Sequence, residues 1–102
     1  MKEYVMLFAI ICTDKPGRLE TRLAVRSTHL SYLERYSEKL AHVGPLLDDN
    51  QRPCGSLLVV DVADRAEAEG FAASDPYAKA ELFESTVIRG FRTVFRDGAV
   101  AE

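Results

Sequence analysis

The sequence predicts an α+β domain in which an antiparallel sheet carries two helices on one face. Three observations carry that prediction: four strand-like segments, two helix-like segments set between them, and apolar residues at both parities of the first and third strands.

The first segment, Tyr4 to Cys12, is dense in aromatic and β-branched residues and stops at Asp14-Lys-Pro-Gly17, a strong turn signal. From Arg18 to Leu40, leucines at 19, 23, 30, 33 and 40 fall at helical spacing, which predicts a helix of about six turns with those leucines inward. Gly44-Pro45 follows, where helices stop. His42 to Leu47 predicts a short second strand, Asp48 to Gly55 a polar loop, and Ser56 to Ala63 a third strand. Asp64, with Glu67 three residues later, forms a capping-box-like start for a second helix. That helix should end at Ser74-Asp75-Pro76, because a residue before proline resists the helical region. Tyr77 to Phe83 predicts a further turn or two of helix, Glu84 to Phe95 a fourth strand, and Arg96 to Glu102 a loose tail. The order is βαββαβ, the ferredoxin-like arrangement, in one domain over residues 1–96 with a tail at 97–102.

In the first strand Val5, Leu7, Ala9 and Ile11 are as apolar as Met6, Phe8, Ile10 and Cys12, and Leu57-Leu-Val-Val60 repeats the pattern in the third. A sheet with one wet face should alternate instead. Both helices belong to the first face, so the simplest cover for the second is another copy of the sheet. A homodimer packed sheet to sheet is the expectation.

A formal net charge of -3 and a pI near 5.4 provide no basic field to gather phosphates, so nucleic acid is not an expected partner. The run Val5 to Cys12 is too short to span a bilayer and has no signal-peptide flanks, which predicts a cytoplasmic protein without a membrane partner. Cys12 and Cys54 have no cysteine or histidine at zinc spacing, and Cys12 reads as a small core residue. No GxGxxG, Walker loop, HExxH or paired CxxC occurs, so no metal and no organic cofactor is expected.

His29 lies mid-helix, and Arg22 and Arg26 share its stripe beside the leucine face. At that margin two guanidiniums could offer a fork to a substrate carboxylate or a developing oxyanion, with the imidazole as a base. A solvated helix flank explains the same spacing. Asp75 before Pro76 is first a turn signal. If its carboxylate reaches His29, however, the two make a base and its orienter. Tyr77 offers a phenol to an oxyanion or simply an anchoring ring, Ser56 could line a pocket, and His42 reads as structural.

Taken in order, Asp14-Lys15, Leu19-Glu20-x-Arg22-Leu23-x-Val25-Arg26-x-x-His29-Leu30-x-x-Leu33, Gly44-Pro45, Gly55-Ser56, Asp75-Pro76-Tyr77 and the closing strand through Phe91 to Val94-Phe95 resemble the YciI-like (YCII-related) proteins. The stretch Arg-Leu-x-Val-Arg-x-x-His-Leu is the most specific part. The resemblance implies a ferredoxin-like fold that dimerises into an α+β barrel. It implies that His29 and Asp75 match the His–Asp pair to which the family's catalysis is ascribed, and that Arg26, Gly44, Pro45, Ser56 and Tyr77 fall at pocket positions. It further implies cofactor-independent chemistry on a small molecule, with eliminations of the dehydrochlorinase type among the family's associations. The loop between Leu46 and Cys54, short and carrying Asp48, Asp49 and Arg52, departs from the commoner pattern.

Two functions follow as expectations. In the first, an elimination or isomerisation enzyme, His29 takes a proton from a small oxygenated or acidic substrate, Asp75 supports the imidazolium, and Arg26 or Tyr77 stabilises the oxyanion. In the second, the same pocket only binds a small anionic metabolite, through Arg22 and Arg26.

Overall fold

A computed structural model describes residues 6–101. Strand β1 (Met6–Asp14) is followed by helix α1 (Leu19–Glu34), strands β2 (Leu40–Leu47) and β3 (Pro53–Val60), helix α2 (Arg65–Ala73), the single turn α3 (Pro76–Lys79) and strand β4 (Phe83–Arg92). The expected start of the first strand at Tyr4 and Val5, and the end of the tail at Glu102, lie outside the described residues. Four strands form one antiparallel sheet in the order β2-β3-β1-β4, so the fold is the expected ferredoxin-like α+β arrangement.

Strand parity decides which residues meet the helices. Ile10 and Cys12 of β1, Leu58 and Val60 of β3 and Ile88 of β4 join Tyr32, Leu33, Ala68 and Phe71 of α1 and α2 in one core. The Tyr32 hydroxyl donates to the Phe71 carbonyl at 2.8 Å, tying the two long helices together. Asp14 and Ser56 share the parity of that core but lie where the sheet runs out, beyond its apolar filling.

Helix α1 differs from its predicted form in length and in phase. It ends at Glu34, a 3₁₀ turn occupies Ser37–Lys39, and Leu40 already belongs to β2. The Lys39 carbonyl accepts the Asp61 N–H at 2.7 Å and draws the chain into the sheet, so edge strand β2 begins two residues before the predicted His42 and holds Gly44-Pro45 within it. The residues α1 buries are Arg22, His29, Tyr32 and Leu33, whereas Leu23 is 57% and Leu30 38% exposed. Its inward stripe is thus rotated by one residue from the leucine stripe, because polar side chains occupy the space between α1 and the end of the sheet.

Asp64 caps α2 as predicted, its carboxylate accepting the Glu67 N–H at 2.9 Å while Glu67 accepts from Ala63. Strand β3 begins at Pro53, three residues before the predicted start, which leaves 48–52 as the loop. Past β4, strands β5 (Phe95–Arg96) and β6 (Ala99–Val100) form a separate hairpin where a loose tail was predicted. Asp97 and Gly98 both take positive φ, at 53° and 79°, the backbone of a two-residue type I′ turn.

Candidate functional site

The site forms where α1 crosses the end of the sheet beside α3. Asp75 has extended φ/ψ and serves as the N-cap of α3, where its Oδ1 accepts the backbone N–H of Tyr77 at 2.9 Å. The same oxygen lies 2.9 Å from Nδ1 of His29. A carboxylate can only accept, so Nδ1 carries a proton, and in the neutral imidazole the lone pair is on Nε2. Both residues are buried, and Nε2 has no hydrogen bond to the described residues. The His29 ring also stacks on Tyr77, centroid to centroid 4.0 Å with 19° between planes. Three consecutive residues therefore grip the imidazole, Asp75 at its edge and Tyr77 on its face, with Pro76 fixing φ between them.

Arg22 occupies the sheet end of the same helix stripe. Its Nε and Nη2 donate to the two carboxylate oxygens of Asp14 at 2.7 and 2.8 Å, and Nη2 also donates to Ser56 Oγ at 2.9 Å. Asp14 and Ser56 reach it because β1 and β3 pair Cys12 with Ser56, which puts Asp14 and Ser56 side by side on the helix-facing side. Burial opposes the Arg22 charge, but the hydrogen bonds and charge of Asp14 outweigh it, and Arg22 holds its proton more tightly than free arginine. The guanidinium carbon stands 4.5 Å from the Tyr77 ring centroid. Burial raises the Tyr77 phenol above its ordinary range despite the nearby Arg22 and Arg26, so Tyr77 is neutral at physiological pH.

A cavity of about 220 Å³ opens beside these groups. Arg22, Arg26, His29, Gly44, Pro45, Ser56 and Tyr77, each singled out in the sequence, line it; Asp75 does not, and lies behind His29. Arg26 is exposed at the rim, and no ion pair holds it among the described residues. Leu23, Leu30, Leu33, Val43 and Pro53 supply the apolar wall. His42 lies elsewhere, on β2 opposite Val59. The loop 48–52 borders a different hollow, of about 540 Å³, which Asp14 lines from the other side of its pair with Arg22. Asp14 was read from the sequence as part of a turn and of the family resemblance, not as a site residue. A carboxylate eight residues before an arginine, on another element, leaves no periodic signal. Among the described residues no three His, Cys, Asp or Glu side chains converge as metal ligands, and no helix is long and apolar enough to cross a membrane.

A model of the YCII-related domain matches residues 6–92. The chain belongs to the YCII-related family. Protein YciI of Escherichia coli is 32% identical over 98 residues, covering 88% of this YCII-related chain and 100% of its relative. Among solved structures, the 5-chloro-2-hydroxyhydroquinone dehydrochlorinase of Burkholderia phenoliruptrix, in complex with 2,5-dihydroxybenzoquinone, is 34% identical with a TM-score of 0.76, over 81% of this chain and 90% of that one. A NIPSNAP family protein from Agrobacterium tumefaciens, 20% identical with a TM-score of 0.53 over 92% and 95% of the two chains, shares the fold. The similarity to a dehydrochlorinase is consistent with a small-molecule enzyme in the YCII-related family.

Proposed function

We propose that the protein is a cofactor-independent enzyme that eliminates from, or isomerises, a small oxygenated ring compound, with His29 as the base. One observation carries this reading: a buried imidazole whose Nδ1 is fixed on a carboxylate, leaving Nε2 for the cavity that His29 lines. In an elimination, Nε2 takes an O–H or C–H proton of the substrate and the electron pair left behind moves into the ring. Chloride or another leaving group departs with its bonding pair. Asp75 stabilises the imidazolium formed, and Arg26 at the rim faces the negative charge that develops on the substrate oxygen. A cavity of about 220 Å³ lies below the range for drug-sized ligands and suits a single substituted ring. The ring ligand of the Burkholderia enzyme supports the same substrate class.

The test is chloride release from 5-chloro-2-hydroxyhydroquinone by the wild type and by His29→Ala. The variant should lose about 10²- to 10⁴-fold in turnover, the usual share of a positioned base. Equal turnover by the two proteins overturns the role of His29. Arg26, exposed and without an ion pair among the described residues, favours a second reading, a module that binds a small anion without transforming it. It predicts that 2,5-dihydroxybenzoquinone binds the wild type, that Arg26→Ala weakens the binding, and that no chloride is released.

We also propose that the protein works as a homodimer joined through the sheet face turned away from the helices. Val87 and Phe91 of that face are 43% and 45% exposed, and Phe95 of the hairpin beside it is 62% exposed. A hollow of about 540 Å³ there is lined by Leu7, Ala9, Leu57, Val59, Phe91 and Phe95. A second copy would cover this surface. Sedimentation should give a dimer for the wild type and a monomer for Phe91→Glu; a monomeric wild type at micromolar concentration overturns the proposal.

A further inference from the structure

The fork expected of Arg22 toward a substrate carboxylate is largely engaged inside the protein, three hydrogen bonds going to Asp14 and Ser56. Beyond them the guanidinium lies over Tyr77, its carbon 4.5 Å from the ring centroid. Arg22 and His29 are seven residues apart on α1, about 10 Å along the helix axis. Both nevertheless lie against the Tyr77 ring, at 4.5 and 4.0 Å from its centroid. Groups that far apart on the helix both come this close to one ring when Tyr77 is inserted between them, guanidinium on one side and imidazole on the other.

We propose that Asp14 and Arg22 are positioning residues for His29, acting through the ring of Tyr77. The hydrogen bond to Asp75 fixes Nδ1 but leaves the imidazole free to pivot about that bond and, with another rotamer, to exchange its two nitrogens. Contact over the whole ring face removes that freedom, provided the tyrosine itself cannot retreat. Its retreat is blocked by Arg22, which Asp14 and Ser56 clamp from β1 and β3, and by Phe83, whose ring meets Tyr77 edge-on at 6.1 Å. A buried two-point ion pair at the end of the sheet thus sets the orientation of a base two helical turns away. The inference rests on His29 being the reactive group, since only then does the orientation matter for turnover.

The experiment uses ¹⁵N-histidine-labelled full-length protein at a pH where the His29 ring is neutral and reads its imidazole nitrogens, so it needs no substrate. In the wild type, Nδ1 should appear as a protonated nitrogen and Nε2 as a well-separated unprotonated one, with the carbon-bound ring protons shifted upfield by the Tyr77 stack. Tyr77→Phe, which keeps the ring, should retain this pattern. Tyr77→Leu and Arg22→Lys should draw the two nitrogen signals toward each other as the imidazole samples both tautomers. Wild-type separation in either of these two variants overturns the proposal. Unshifted ring protons in the unaltered protein do the same, even if a variant fails to fold. Because turnover is not read, loss of activity in His29→Ala and the tautomer pattern succeed or fail independently.

Discussion

A single oxygen of Asp75, Oδ1, serves both the Nδ1–H of His29 and the backbone N–H of Tyr77, each at 2.9 Å. One atom therefore orients the candidate base and starts α3. The two duties separate by mutation. Asp75→Asn keeps an oxygen acceptor for both donors and removes the negative charge, so turnover should fall while stability changes by less than about 1 kcal/mol. Asp75→Ala takes the acceptor from both N–H groups and should cost at least about 1–3 kcal/mol. Urea unfolding beside a turnover assay checks both; a large stability loss in Asp75→Asn would contradict the division.

The Asp14–Arg22 pair is buried, with side chains 7% and 4% exposed, and breaking it strands a charge. Asp14→Ala should destabilise the protein by about 3–5 kcal/mol, read as a lowered urea midpoint. Replacing both partners, as Asp14→Leu with Arg22→Met, should recover a good part of that loss, because no charge is left unpaired. A double variant as unstable as the single one would show that the pair's hydrogen bonds, and not the stranded charge, dominate.

Gly55 of β3 pairs with Thr13 of β1. A Cβ built there would meet the Cys12 carbonyl oxygen, a backbone atom that cannot swing away. Gly55→Ala should cost about 1–3 kcal/mol by forcing the strands apart. Faster hydrogen exchange should appear first in the β1–β3 ladder around Thr13 and Cys12, which pair with Gly55 and Ser56. Exchange unchanged there would show that the strands absorb the methyl group.

Burial pushes the Cys12 thiol up from 9.0 to about 11, while Cys54 is exposed. At pH 8 a thiol reagent should modify Cys54 alone, with Cys12 reacting only after unfolding. The raised value also makes stability depend on pH. Below pH 9 the contribution of Cys12 is complete; above it the unfolded chain loses the proton first, and stability falls until the folded thiol ionises near 11. The loss attributable to Cys12 is about 2–3 kcal/mol, measurable as the difference in slope between wild type and Cys12→Ala over that window.

The element order was legible because it rests on local signals: the Asp14-Lys-Pro-Gly17 turn, the Asp64 cap with Glu67, and the proline after Asp75. The orientation of α1 was not. Its leucines at 19, 23 and 30 form a better stripe than the residues actually buried, because the helix turns Arg22 and His29 inward and leaves Leu23 and Leu30 at the cavity mouth. Periodicity assumes an apolar interior, and a site inserted into that interior defeats it. The hairpin at Phe95–Val100 was missed although Asp97-Gly98 is a turn dipeptide, its flanking strands being only two residues each. Asp14 was legible only as part of a turn and of the resemblance, because its pairing with Arg22 on another element leaves no periodic signal.

The grip of Asp75-Pro76-Tyr77 on His29 has a consequence for how a ligand meets the protein. Edge and face of the imidazole are held by Asp75 and Tyr77, two residues apart in the chain, and both are placed by the first turn of α3. The aim of the base is then settled during folding, before any molecule arrives. An encounter would find the proton acceptor already pointed, and its binding energy could go to placing the substrate alone.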